Sequence, residues 1–234
     1  MKKSPTSSAI DQPGAGDYRA RAAQTKRTRT RAQILDAVLV AYPGTDPNTS
    51  PVVEDVVREA KVSRATFYKY FASLDEAVEE LGAQLSDELT GLRASIYSDV
   101  LNPTLRVATG FQLFLSRAVI DPDWASFITH GHRLNRDKDL RSAMRHDLEM
   151  GVAARVFEIE DMDVALDFII AAKVDAMRHL RKGHAGRRYI NIVTSMYLRS
   201  LCVSSKDADA ASLIVSQRIH KEGPELLSWW RPFE

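Results

Sequence analysis

The sequence predicts an all-α protein, because apolar residues recur at three- and four-residue spacing through most of its length and no segment shows convincing strand-like alternation. Proline and glycine pairs punctuate this pattern and separate the helical segments. The predicted organisation is a basic, flexible tail over residues 1–24, a three-helix helix-turn-helix domain over residues 25–73 and a larger helical body over residues 74–234. Helices in the body are expected near residues 74–92, 103–120, 123–133, 138–158, 162–182, 187–203 and 208–221.

The bulk composition is that of a globular protein. Hydrophobic residues make up 44% and charged residues 27%, which excludes a collagen-like or disordered chain. No apolar run approaches the roughly 18–20 residues of a membrane span, so no membrane partner is expected. Residues 1–5 are basic but lack the apolar segment of a signal peptide, which predicts a cytoplasmic protein. Cys202 is the only cysteine, so an intrachain disulfide is excluded.

Charge is unevenly divided along the chain. Residues 1–71 carry 12 basic and 7 acidic side chains, whereas the remaining residues carry 20 basic and 24 acidic side chains. Such asymmetry is typical of a polyanion-binding end joined to an acidic body, although a solvated basic tail gives the same pattern. The strongest concentration lies between Tyr18 and Leu35, where six cations occur without an anion: Arg19, Arg21, Lys26, Arg27, Arg29 and Arg31.

The segment over residues 28–71 contains three predicted helices. The first runs from about residue 28 to 41 and is ended by a Pro-Gly pair. Thr49 or Ser50 can cap the second, with Pro51 at its first position, where a missing N–H costs nothing. Ser63 is the predicted N-cap of a short third helix over residues 64–70.

These helices fit a helix-turn-helix, which needs a small shared core and a second helix that projects polar side chains. The predicted core consists of Ile34, Leu35, Val38, Val53, Val56, Ala60, Val62, Phe67 and Phe71. Arg64, Ala65, Thr66, Tyr68 and Lys69 are left on the outer face. Arginine can bridge a guanine edge, threonine can reach a base edge or thymine methyl, and tyrosine and lysine suit phosphates. A plain helical hairpin with a packed aromatic cluster is the alternative.

The run AKVSRATFYKYF over residues 60–71, followed by Ser73 and an acidic helix start, resembles the DNA-binding region of the TetR family of bacterial repressors. The resemblance covers residues 52–81 and implies a homodimeric repressor that binds a palindromic double-stranded DNA operator and releases it when a small molecule binds. It further implies that Tyr68 and Lys69 contact phosphates and that Arg64, Ala65 and Thr66 face the major groove. The predicted DNA-binding set is Lys26, Arg27, Arg29, Thr49, Ser50, Ser63, Arg64, Ala65, Thr66, Tyr68 and Lys69.

Three residues depart from the family pattern. Lys61 stands where the family usually has glycine, and a left-handed lysine there costs roughly 1 kcal/mol. Val57 replaces a usual alanine, which widens the expected angle between the two helices. Leu74 replaces a common lysine and removes one phosphate contact.

Ser73 can cap a fourth helix whose residues 74–90 hold six acids and no base. We expect this helix to avoid DNA and to link the helix-turn-helix to the body. Two later helices carry apolar faces that the family pairs in a four-helix bundle between subunits, although such faces also suit an intrachain core. The predicted dimer residues are Phe168, Ala172, Met177, Ile192, Val193, Met196 and Tyr197.

A pocket for an unidentified small-molecule effector is expected in the body. Apolar and aromatic residues with occasional polar groups are what such a cavity needs, and also what a core needs. The candidates are Phe111, Phe114, Leu115, Trp124, Phe127, Ile128, His130, Met144, Leu148 and Phe157.

No catalytic residue, metal site or cofactor is predicted. His130 and His132 are two residues apart and His179 and His184 five apart, so neither pair has the four-residue spacing of two metal ligands on one helix face. The sequence also lacks a phosphate-binding glycine loop and a nucleophile elbow. Two other classes stay open: a DNA-binding protein without an effector, and a helical interaction module or enzyme whose basic arm binds something else.

Overall fold

A computed structural model describes residues 15–42, 50–96, 100–130, 138–181, 183 and 186–234. These residues form ten α-helices and no strand, which confirms the predicted all-α class. The helices are α1 (Ala15–Ala41), α2 (Val53–Glu59), α3 (Arg64–Tyr70), α4 (Leu74–Ile96), α5 (Pro103–Ile120), α6 (Pro122–Thr129), α7 (Lys138–Ala153), α8 (Met162–Arg181), α9 (Arg187–Ser200) and α10 (Ser205–Leu226).

The first helix is longer than predicted. It begins at Ala15 rather than near Thr28, so part of the expected tail is helical. Residues 21–29 are all exposed, and a helix that buries no face leaves no apolar period in the sequence. Its alanine, arginine and glutamine residues are good helix formers, which accounts for the extension. The rest of the predicted tail, residues 1–14, lies outside the described residues.

Helices α1, α2 and α3 share the core that the sequence predicts. Ile34, Val38, Val56, Phe67 and Phe71 are buried there, and Val53 and Val62 pack against them at half-buried positions. The Phe67 and Phe71 rings lie 5.8 Å apart within this core. The helix-turn-helix is therefore locked from within by its own apolar residues.

Helix caps agree with the sequence at two of three positions. The Ser63 hydroxyl accepts a hydrogen bond from the Thr66 N–H at 3.1 Å, and the Ser73 hydroxyl accepts one from the Glu76 N–H at 3.1 Å. The predicted start of α2 is wrong, because this helix begins at Val53 and not at Pro51. Asp55 supplies its cap instead, by accepting the Val52 N–H at 3.1 Å.

The turn between α2 and α3 contains a strained residue. Lys61 has a φ of 52°, the left-handed conformation that the sequence suggested at a usual glycine position. Its side chain is exposed, so the cost of roughly 1 kcal/mol is a backbone cost alone. The turn nevertheless closes, with the Val62 N–H donating to the Val57 carbonyl at 3.1 Å.

Side chains of α1 and of the residue after it help to hold the helix-turn-helix on the rest of the chain. Arg31 of α1 donates to the Glu80 carboxylate of α4 at 2.7 Å and to the Tyr70 carbonyl at 3.1 Å. The hydrogen bond to Arg31 also lowers the pKa of Glu80. At the end of α1, Tyr42 packs edge-on against Phe127, with ring centroids 5.2 Å apart. Arg31 is therefore a structural residue rather than part of a free basic arm.

The body is arranged around α5, which packs against α7, α8, α9 and α10. Asn102 caps α5 by accepting the Leu105 N–H at 3.1 Å, and Pro103 occupies its first turn. Helix α6 bridges the two parts of the molecule, since it contacts α1 on one side and α8 on the other. In the part of the chain that the structure describes, every helix is too short or too polar to cross a membrane.

Candidate functional site

Helix α3 holds five of the eleven predicted DNA-contacting residues. Arg64, Ala65, Tyr68 and Lys69 are exposed there, while Thr66 is half-buried. Tyr68 is 48% exposed, although its ring also meets the buried Phe67 ring edge-on at 5.4 Å. An aromatic side chain held against the core and open to solvent on its other side can contact a phosphate with little loss of rotamer freedom.

Arg64 is held by other side chains in the absence of DNA. Its Nη1 lies 2.5 Å from the Glu54 Oε1 of α2. A hydrogen bond with Tyr68 and the Glu54 carboxylate both raise the pKa of Arg64. The guanidinium would have to leave these partners before it could bind a base edge or a phosphate.

The remaining predicted DNA contacts are scattered. The Ser63 hydroxyl is occupied by capping and lies 2.9 Å from the Thr66 hydroxyl. Ser50 does not cap α2, and its hydroxyl lies 3.4 Å from Nε2 of His130, at the junction with the body. Thr49 lies outside the described residues. Exposed side chains on α1 include the three predicted basic contacts, Lys26, Arg27 and Arg29.

A cavity lies in the body between α5, α7, α8 and α9, with Trp229 closing one side. The volume open to the centres of water molecules is about 50 Å³. Three of the ten predicted pocket residues, Phe111, Phe114 and Met144, line it. The full lining is Val107, Gly110, Phe111, Leu113, Phe114, Arg117, Leu140, Met144, Asp147, Ile169, Lys173, Tyr197 and Trp229.

The other seven predicted pocket residues are buried but pack elsewhere: Leu115, Trp124, Phe127, Ile128, His130, Leu148 and Phe157. Trp124 lies behind the cavity wall, with its ring 5.7 Å from the Phe114 ring. Phe127 and His130 face Tyr42 at the junction with α1. The Phe157 ring lies directly against Gly151, whose missing side chain makes room for it. These assignments to the pocket are corrected because the sequence cannot separate a buried face from a cavity wall.

Arg117 is a cavity residue with several charged and aromatic partners. It is 6% exposed, and its Nη1 donates to the Glu88 carboxylate of α4 at 2.6 Å. Its guanidinium lies between two indoles, 5.0 Å from the Trp124 ring and 5.2 Å from the Trp229 ring. Cation–π contacts of this kind stabilise a desolvated guanidinium. Arg117 therefore connects the cavity wall with both α4 and α6.

Lys173 and Asp147 add two more charges to the lining. Lys173 is 3% exposed, and its Nζ lies 4.3 Å from the centre of the Phe114 ring and 3.8 Å from the Met144 sulfur. Asp147 accepts a hydrogen bond from Nε of Arg106 at 2.7 Å. Buried charges are retained in proteins when they have partners of these kinds.

These charged residues were missed by the sequence analysis, although a signal was present. Lys173 lies one turn after Ile169 and one turn before Met177, on the buried face of α8. Arg117 follows Phe114 by three residues on the buried face of α5. A charge at a buried helical position is rare, and it would have marked both residues as candidates.

The predicted dimer residues divide into two groups. Phe168 is 56% exposed and Met196 61%, Ile192 is also exposed, and Ala172 and Val193 are half-buried. Met177 and Tyr197 are buried inside the chain, so their assignment to an interface is wrong. Tyr197 instead stacks on Phe111 at 4.7 Å and lines the cavity. Two exposed apolar residues of α10, Leu213 and Ile214, were not predicted.

Among the described residues, His, Cys, Asp and Glu side chains form no group of three that could hold a metal ion. Cys202 is exposed in a left-handed turn after α9.

Comparisons with known proteins give a fold likeness. Neither a protein-family model nor a curated protein sequence matches the chain. The structure is similar to that of RolR (NCGL1110) in complex with the ligand resorcinol, with a TM-score of 0.59, 20% sequence identity and coverage of 81% of this chain and 95% of that one. It is also similar to RolR without ligand, with a TM-score of 0.52, 14% identity and coverage of 78% and 96%. At these identities the likeness shows a shared all-helical fold.

Proposed function

We propose that this protein is a sequence-specific transcriptional regulator of the TetR type, a repressor that a small molecule releases from its operator. The observation that carries the proposal is the Ser63-capped helix α3, which rests on buried Phe67 and exposes Arg64, Tyr68 and Lys69. This is the geometry that a recognition helix needs to enter a major groove. The basic residues of α1 add charge for the flanking phosphates.

A small-molecule effector is supported by two observations. The body encloses an apolar cavity with a few buried polar groups, as ligand sites do. RolR, whose fold is similar, forms a complex with resorcinol. That likeness gives the effector role a precedent in this architecture, and the cavity gives it a place in this chain.

The contacts of Arg117 suggest how the cavity is coupled to DNA binding. Arg117 bonds to Glu88 of α4, and α4 is tied to α1 by the Arg31–Glu80 pair. Arg117 also stacks on Trp124 of α6, the helix whose Phe127 packs on Tyr42 of α1. A ligand that moves Arg117 would bias both helices that support the helix-turn-helix. Two ligands coupled through such an element must affect each other's binding reciprocally.

Selection from a random duplex pool near physiological salt tests DNA binding. The wild type is expected to enrich a palindromic site, and Tyr68→Ala is expected to enrich none because it removes a phosphate contact held by the core. Arg64→Ala is expected to relax discrimination at one base pair by about 1–3 kcal/mol. Arg141→Ala is the matched control, since it removes another ion-paired arginine, in the body.

Two results would contradict this assignment. If wild type and Tyr68→Ala enrich nothing and behave alike, α3 is not a recognition helix, and the basic arm serves another partner. If Arg64→Ala lowers affinity equally for all sequences, Arg64 contacts a phosphate and not a base.

A homodimer is the second part of the proposal, because two recognition helices spaced by about 34–36 Å meet successive major grooves. Met196→Glu is expected to convert the dimer to a monomer at micromolar concentration, since it buries a charge in an apolar interface. Analytical ultracentrifugation measures the change. Leu101→Glu, at an exposed apolar residue outside that face, is the control.

A wild type that sediments as a monomer would overturn the proposed dimer. A Met196→Glu protein that stays dimeric would show that the dimer interface lies elsewhere. The exposed face of α10 with Leu213 and Ile214 would then be tested next.

A further inference from the structure

Two buried N–H donors in the cavity wall have no acceptor. They are Nε of Arg117 and Nε1 of Trp229, and both residues line the cavity. The Arg117 guanidinium lies 5.2 Å from the Trp229 ring, so the two donors share one corner of the cavity. A buried donor left without an acceptor costs about 1–3 kcal/mol, so such donors usually mark a missing partner. One group with two acceptor oxygens could serve both.

Charged side chains surround this corner. Two cations, Arg117 and Lys173, and one carboxylate, Asp147, line the cavity. The carboxylate is bonded to Arg106, outside the lining. Arg117 uses Nη1 for Glu88 and has Nη2 at 3.8 Å from Asp121, whereas its Nε has no acceptor. A carboxylate that supplied this acceptor would form a charge-assisted hydrogen bond in a poorly hydrated space, where such bonds are strong.

The rest of the lining selects a small planar group. Phe111, Phe114, Tyr197 and Trp229 supply aromatic surfaces, and Phe111 and Tyr197 are already stacked on each other. The cavity is small, since water centres fit over only about 50 Å³ of it. Sites for drug-sized ligands are larger, at roughly 300–1,000 Å³. The size therefore favours one ring with one small substituent.

We propose that the cavity binds a single-ring aromatic carboxylate, whose oxygens accept from Nε of Arg117 and Nε1 of Trp229 and whose ring lies among Phe111, Phe114 and Tyr197. The positive charge of Lys173 supports the carboxylate without a fixed contact. As the effector, this ligand rests on the proposed regulatory function, but its binding is measured without DNA. The two proposals can therefore fail separately.

An isosteric series tests the ligand class on the full chain. Benzoate, benzamide and benzamidinium have nearly the same planar shape but carry a negative, a neutral and a positive substituent. Titration calorimetry is expected to rank benzoate first, with benzamide at least tenfold weaker and benzamidinium without binding. Benzoate is also expected to raise the melting temperature, because it binds the folded state alone. Equal affinity for benzoate and benzamide, or no binding of benzoate, would overturn the proposal.

Substitutions of the two adjacent tryptophans locate the contact. Trp229→Phe keeps a ring and removes one N–H donor, so we expect benzoate to bind about tenfold more weakly. Trp230→Phe makes the same change at a residue that does not line the cavity, and benzoate affinity is expected to stay within twofold. Similar affinities for both variants and the wild type would place benzoate outside this corner and overturn the assignment. Benzoate that binds without changing operator affinity would uphold the ligand class and contradict its role as effector.

Discussion

Replacing Trp124 by alanine is expected to lower the free energy of unfolding by about 3–5 kcal/mol, as large-to-small changes in cores do. Trp124 is completely buried, and its ring contacts Phe114 and the Arg117 guanidinium. Its helix, α6, lies between the body and α1, so the void left by the indole would loosen both. Urea denaturation followed by circular dichroism measures the loss.

Trp124→Phe is the matched control for this substitution. The indole N–H of Trp124 has no hydrogen-bond partner, so phenylalanine removes a buried donor that is already unsatisfied. We therefore expect Trp124→Phe to cost only about 1–2 kcal/mol, because the loss of ring area is partly offset. If the two variants are equally destabilised, the N–H makes a contact that the structure does not contain, and the packing explanation is wrong.

Asp147→Ala is expected to destabilise the protein by about 3 kcal/mol, because it leaves Arg106 partly buried without its carboxylate. The side chains of Asp147 and Arg106 are 6% and 20% exposed, and their hydrogen bond is 2.7 Å long. Thermal and urea unfolding would both record the loss. Since Asp147 lines the cavity, ligand affinity is a second readout.

The exposed ion pair between Arg145 and Asp163 is the control for this prediction. The Asp163 side chain is 71% exposed and also pairs with Arg141, and exposed pairs contribute little, so Asp163→Ala is expected to cost much less than Asp147→Ala. The combined variant Arg106→Met, Asp147→Leu is expected to recover most of the stability, since it removes both charges and keeps the volume. If Asp147→Ala costs no more than Asp163→Ala, the Arg106–Asp147 pair is effectively solvated.

Local interactions are the part of this structure that the sequence predicts well. The hydroxyls of Ser63 and Ser73 cap their helices by accepting a hydrogen bond from the N–H three residues later. Donor and acceptor of each bond are therefore close together in the sequence. Lys61 adopts the left-handed conformation in the short turn between α2 and α3, which is also a local feature of the chain. The helical spacing of apolar residues in α2 and α3 likewise predicted the core between them. This worked because the apolar face of each of these short helices packs against a single shared core.

Sequence reasoning failed where a helix has no apolar face or where several helices meet. Residues 21–29 of α1 are exposed and carry no apolar period, so the start of this helix was placed 13 residues too late. Met177 and Tyr197 are apolar or aromatic and helical, as an interface residue would be, yet both are buried within the chain. Only the packing of neighbouring helices distinguishes a residue at a subunit interface from a residue in the core of the chain.

By itself, the sequence determined the all-α class, the helix-turn-helix core and the caps at Ser63 and Ser73, because these depend on residues a few positions apart. Only the tertiary structure decided which buried residues surround a void. The cavity is formed where α5, α7, α8 and α9 meet, and its outline depends on the angles at which these helices pack. The same packing brought Arg117, Lys173 and Trp229 together from three distant parts of the chain. No local sequence pattern predicts that these three residues line one cavity.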